Sequence, residues 1–184
     1  MGLEKVLSQI LKDKEVKIRV ILMDAVEYFR FVRDIPFRIP MSGREPDYCC
    51  VGKHVVLKTL LSSLGFKVRY AFCEWLWSSL DLPESLKTIP HEDRIGHVYL
   101  EVYGKEQKRW MIVDATWDKR LVSKLPTSDW DGRNDTIIAV KPAKMLRKRA
   151  DKLEELSEAQ WTKLMKANGQ FLEAFNTWLE SIRT

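Results

Sequence analysis

The chain has 184 residues, 45% hydrophobic and 31% charged, with a net charge of +5. That is the length of one domain with apolar content enough for a core, and it excludes a disordered composition. No run of ~18 apolar residues is present for a membrane span, and Met1–Glu15, with Glu4 early and no small-residue cleavage site, is not read as a secretory signal.

In chain order, Leu3 to Lys12 reads as a short amphipathic helix with Leu3, Val6, Leu7, Ile10 and Leu11 on one side. Val16 to Arg33 reads as a longer helix that buries Val20, Ile21, Val26, Phe29 and Val32, and Pro36 ends it. Phe37 to Pro40 is predicted to be extended, and Met41 to Asp47, with Gly43 and Pro46, to be a loop. From Cys50 the residues His54, Leu57, Leu61 and Leu64 recur at helical spacing, with Val56 and Leu60 beside them, until Gly65 stops the helix. Cys50 therefore lies in the first turn, where unpaired N–H groups and the positive end of the helix dipole favour a thiolate. Cys49 points about 100° away from that stripe, which makes Cys50 the candidate nucleophile.

Lys67 to Trp75 reads as a strand with Val68, Tyr70 and Phe72 on one face and Arg69 on the other. Leu76 to Gly96 is a long connection in which Pro83 to Leu86 opens a short helix. A hairpin follows. His97 to Tyr103 alternates, as do Trp110 to Asp114, and a loop at Gly104 to Gln107 pairs Tyr103 with Lys108 and sets His97 opposite Asp114. Their Cβ atoms would then be ~5 Å apart on one face, close enough for a carboxylate to hold an imidazole in one tautomer. Val98, Leu100, Met111 and Val113 form the core face behind them. Cys50, His97 and Asp114 thus fall into the roles of nucleophile, base and orienter that acyl transfer needs. His54, four residues after Cys50, is read as a packed core histidine, His91 as an exposed loop residue and Cys73 as a strand residue with no role.

Beyond Asp114, Trp117 to Trp130 is polar and irregular, Trp130-Asp131-Gly132 is a turn, and Thr136 to Val140 is predicted to be a final strand. Pro142 to Leu156 and Ser157 to Ile182 are predicted helices, the second opened by a capping box of Ser157 and Gln160. Its stripe of Trp161, Leu164, Phe171, Phe175, Trp178 and Ile182 packs on the core by default, with a homodimer contact as the lesser alternative to a monomer. Three cysteines with no CxxC pair point to reduced thiols in a cytoplasm, without structural zinc or another metal or cofactor. Most of the positive excess lies between Lys141 and Lys152. Without aromatic interleaving it is read as a solvated helix face, not a nucleic-acid contact.

Cys50, Gly65 and Arg69 in LGFKVR, His97 in HVYLEVY and Asp114 in IVDAT together resemble the core of the transglutaminase-like superfamily, with AVEYFRFVRDIPFRIP (Ala25 to Pro40) similar to the segment before the cysteine in prokaryotic members. The match covers about residues 20–118, leaving 141–184 as a C-terminal helical extension within one domain, 1–184. The pattern departs at Tyr48 and Cys49, at Phe66-Lys67-Val68, at His54 and at Ala115. The resemblance implies an α+β, papain-like fold, with an antiparallel sheet packed on an N-terminal nucleophile helix and extra helices at both ends. It also implies a catalytic triad of Cys50, His97 and Asp114, and a cleft bordered by the segment after Arg69, so that Trp75 and Trp77 become candidates for the substrate wall. The oxyanion donors would be the Cys50 N–H and a second group from Tyr48 or the Trp117 side chain.

The function so implied is that of a cytoplasmic cysteine enzyme, a hydrolase or acyltransferase that attacks amide bonds of peptides or proteins through a thioester. Protease, transamidase and deamidase chemistry share that triad. The rivals are a peptide N-glycanase-like amidase, whose paired CxxC zinc ligands are missing here, and a non-catalytic peptide-binding module of the same fold.

Overall fold

The computed structural model describes residues 23–183. The predicted helix at Leu3 to Lys12, and the part of the second helix before residue 23, lie outside them. Helix α1 (Ala25–Arg33) begins with a capping box in which Asp24 is extended, its side chain accepts the Val26 and Glu27 N–H groups, and Glu27 reaches back to the Asp24 N–H. A single helix across Val16 to Arg33 is therefore corrected: the Asp24 cap makes Ala25 the first helical residue. Helix α2 (Cys50–Ser63) has the predicted bounds, closed by Leu64 and by Gly65 at φ +82°.

Strands β1 (Val68–Leu76), β2 (Arg94–Gly104), β3 (Arg109–Val113) and β4 (Lys144–Ala150) form one antiparallel sheet in the order β3-β2-β1-β4. A one-turn helix α3 (Glu84–Lys87) lies in the β1–β2 connection, and α4 (Glu158–Ile182) closes the described chain behind the predicted Ser157/Gln160 box. The architecture is mixed α+β. Among the described residues no helix is long and apolar enough to cross a membrane.

Alternation along the strands builds two cores, one on each face of the sheet. Val68, Tyr70, Leu100, Val102, Met111 and Val113 pack against Phe29 and Val32 of α1 and Val56, Leu57 and Leu61 of α2. Ala71, Cys73, Trp75 and Tyr99 face the other way, onto Trp117 and onto Phe171, Phe175 and Leu179 of α4. The stripe of α4 thus finds its partner in this chain, and each such side chain contributes roughly 1.5–3 kcal/mol on burial.

Three elements differ from expectation. The hairpin loop is one residue later, with Gly104 facing Arg109 and Tyr103 facing Trp110, because Lys108 adopts φ +52° and Gln107 folds over Gly104 where a Cβ would stand. The pairing shift is two residues, so every side chain keeps its face. Pro142 to Leu156 is not a helix: its centre is β4, where pairing with the edge of β1 outweighs an amphipathic pattern. Thr136 to Val140 begins beside β3 but forms no strand. The Asp135 carboxylate takes the Ile112 N–H, in place of a ladder bond, and Thr136 N–H donates to the Ile112 carbonyl.

Candidate active site

Cys50 is the first residue of α2, and the chain before it is held by Asp47. The Asp47 carboxylate accepts the Cys49 N–H at 2.8 Å and the Gly52 N–H, and Cys50, at the first helical position, has no helical partner for its own N–H. Gly52 permits this clamp, since a Cβ there would lie 1.8 Å from the Asp47 carbonyl oxygen.

His97 and Asp114 meet on one face of the hairpin. In the observed register they are diagonal, not opposite, and His97 Nε2 lies 2.7 Å from Asp114 Oδ2. Its other ring nitrogen is left for the Cys50 sulfur, to which His97 is hydrogen-bonded. Asp114 is buried and fully engaged: it also accepts the Ala139 N–H at 2.8 Å, the Thr116 N–H at 3.1 Å and the Thr116 hydroxyl at 2.6 Å, and its own N–H donates to Thr116's counterpart across the loop, the Thr136 hydroxyl. A carboxylate so bonded is fixed in place and cannot rotate away from the imidazole.

The electrostatics follow from these contacts. The Cys50 thiol is held well below its ordinary value, first because the Cys49 thiol donates to its sulfur, then, against the cost of burial, because His97 and the Val98 N–H do the same. Burial opposes an imidazolium at His97, but Asp114 and Cys50 outweigh it and push His97 up to about 10. Burial likewise opposes the Asp114 carboxylate, yet the His97 charge and hydrogen bond keep it below the usual carboxylate range. Together they favour a thiolate–imidazolium pair at neutral pH.

His54 is a brace, not a base. Its Nδ1 lies 2.6 Å from the Cys50 carbonyl oxygen, its Nε2 accepts the Ala115 N–H at 3.0 Å, and burial pulls its pKa down, so it is neutral with the proton on Nδ1. Lys53, one turn from Cys50, is 1% exposed and donates to the carbonyls of Arg33, Ile35 and Thr116 at 2.8, 3.0 and 2.6 Å. These two side chains tie α2 to the segment that carries Asp114.

Cys50 and His97 line a cleft of about 1820 Å³ together with Trp75, Trp77, Trp117, residues 39–45 and Trp161. Trp77 is mainly a core residue, packed on Phe171 and Phe175, and the Trp117 indole already donates to the Ala139 carbonyl at 2.7 Å, which removes it as an oxyanion donor. Tyr48 does not line the cleft. It forms a β-bridge with Arg38, and its ring packs against the α1/α2 core. Arg69 is likewise away from the cleft, paired with Glu101 at 2.7 Å and stacked 3.9 Å over Trp110. His91 is half-buried and stacks on Phe171 at 3.8 Å, which corrects its reading as an exposed loop residue. Cys73 is buried, its thiol pushed up to about 12 by burial.

Sequence reasoning missed Asp47, Gly52 and Lys53. Each left a signal: an Asp two residues before the N-cap, a glycine in a helix's first turn, and a lysine inside an apolar stripe. Among the described residues no three His, Cys, Asp or Glu side chains come together as a metal site. Searches against family models, curated proteins and solved structures find no match to the chain.

Proposed function

We propose that this chain is a cysteine enzyme of the transglutaminase-like, papain-like kind, acting on amide bonds of peptides or proteins. The observation that carries the reading is the 2.7 Å contact between His97 Nε2 and Asp114 Oδ2, with His97 bonded in turn to a cysteine at a helix N-terminus. The Cys50 thiolate attacks the amide carbonyl, and the oxyanion develops near the free Cys50 N–H. The His97 imidazolium gives its proton to the leaving amine. Asp114 keeps the ring aligned throughout, and water or a second amine then resolves the thioester with His97 as base. The cleft supports a polymeric substrate, since about 1820 Å³ exceeds the roughly 300–1,000 Å³ typical of small-ligand sites.

The test is the pH dependence of iodoacetamide alkylation at each cysteine, followed by mass spectrometry in the native protein and in His97→Ala. Cys50 should react well below pH ~8.5, the ordinary thiol value, and lose that advantage in the variant. A Cys50 no faster than Cys49 and Cys73 would sink the catalytic reading and leave a peptide-binding module in its place.

A further inference from the structure

Acyl transfer needs one thiol, and this cleft holds two. Cys49 is half-buried and lines the cleft beside Cys50. It occupies the N-cap of α2 but makes no side-chain cap bond, giving up the stabilisation that Ser, Thr, Asp or Asn would contribute there. Its backbone is spoken for, with the N–H on Asp47 and the carbonyl accepting from the Lys53 N–H at 3.0 Å, and its thiol lies within reach of both the Asp47 carboxylate and the Cys50 sulfur. The Cys49 thiol is in hydrogen-bond contact with Cys50, as donor. The bond to Cys50, with burial, pushes the Cys49 thiol up, and the same bond holds the Cys50 thiol down. An accessible thiolate with a second thiol in contact is the arrangement in which a sulfenic acid is resolved.

We propose that Cys49 and Cys50 form an oxidative modification site for hydroperoxides, in which Cys49 closes oxidised Cys50 into a vicinal disulfide that caps the nucleophile reversibly. This rests on the reading of Cys50 as a thiolate. In the first step the Cys50 sulfur attacks one peroxide oxygen: the S–O bond forms, the O–O bond breaks, and the departing oxygen takes the His97 proton and leaves as water or alcohol. The sulfur loses two electrons and the peroxide gains them. In the second step the Cys49 sulfur attacks Cys50: the S–S bond forms, the S–O bond breaks, and hydroxide leaves with the Cys49 proton as water. No further oxidant is consumed.

Ring closure falls where the helix resists least. The Cys50 N–H has no helical partner, so turning the Cys49–Cys50 peptide breaks one backbone bond, from Lys53 to the Cys49 carbonyl, at the frayed end of α2. A disulfide between neighbours is strained, and strain makes it easy to reduce, which suits a cap and not a permanent link. Cys73 takes no part, being buried on β1 with its thiol raised to about 12.

The experiment treats the whole protein with a few equivalents of hydrogen peroxide, quenches with iodoacetamide, and measures the tryptic peptide 45–53 by mass spectrometry. The same preparation is assayed for Cys50 alkylation at neutral pH without peroxide. Wild type should lose about 2 Da in that peptide, become at least about tenfold slower to alkylate, and recover fully with dithiothreitol. Cys49→Ser and Cys49→Ala should form no such disulfide, and Cys50, slower to react for want of the Cys49 bond, should instead gain about 32 Da, a sulfinate that dithiothreitol does not reverse. Fast alkylation of wild type with sulfinate in place of the disulfide overturns the proposal and leaves the thiolate reading intact. Slow alkylation without peroxide overturns both.

Discussion

Lys53 places a cation where water does not reach, and three backbone carbonyls replace its hydration shell. Burial still pulls its pKa down to about 7, Asp118 and two further carboxylates offsetting only part of the cost. Between pH ~7 and the ordinary lysine value of ~10.4 the unfolded chain therefore holds the extra proton, so this site's contribution to stability rises with pH across that window. His97 slopes the other way: its folded pKa of about 10 lies above the ordinary ~6.5, so its contribution is complete below ~6.5 and is lost as pH rises through 10. Lys53→Met, which orphans three carbonyls, should destabilise by about 3 kcal/mol, and the gap to wild type should widen between pH 7 and 9.5 in urea melts. A gap that narrows would contradict the assignment. Cys50, His97 and Asp114 were legible in the sequence because a helix start and strand alternation are local. The Asp114 partners at Thr136 and Ala139 were not, since they sit on a segment read as a strand that instead runs irregularly beside β3.

At the scale of the element, the N-terminus of α2 is set from outside the helix. Gly52→Ala drives a Cβ into the Asp47 carbonyl, displacing the clamp that orients Cys49 and Cys50. It should cost about 3 kcal/mol and slow Cys50 alkylation about tenfold. Gly169→Ala is the contrasting case: the new methyl meets only the flexible end of Met165, at 3.2 Å, in the middle of α4, and should stabilise by about 0.5–1 kcal/mol. Thermal melts of the two variants should move in opposite directions. Helices α2 and α4 could be read from pattern and caps because both are amphipathic or apolar over several turns. β4 could not, because KMLRKRA carries no strand alternation and becomes a strand only through the edge of β1. The hairpin lies between these cases, its loop misplaced by one residue but its faces right, since the misplacement shifts the pairing by two.

For the whole molecule, the two cores meet along the cleft, and the far end of α4 fastens the second one. Arg183 donates to the Asp118 carboxylate at 3.2 Å and to the Phe37 carbonyl, while the Phe37 N–H donates to the same carboxylate at 2.9 Å. Three distant parts of the chain are joined there: the approach to Cys50, the segment after Asp114 and the C-cap of α4. Arg183→Ala leaves Asp118 buried with a partner missing and should cost about 2 kcal/mol, seen as a melting temperature lower by about 6 °C. Unchanged melting would mean that the clasp is ornamental. The order of the chain gives this clasp a bearing on timing. A ribosome that has released residues 23–150 has delivered Cys50, His97 and Asp114 and the whole sheet, yet the side holding Trp75, Trp77, Trp117 and Tyr99 still lacks Phe171, Leu172, Phe175 and Leu179. Synthesis itself thus supplies last, among the described elements, the helix that covers this side of the sheet and the arginine that fastens it.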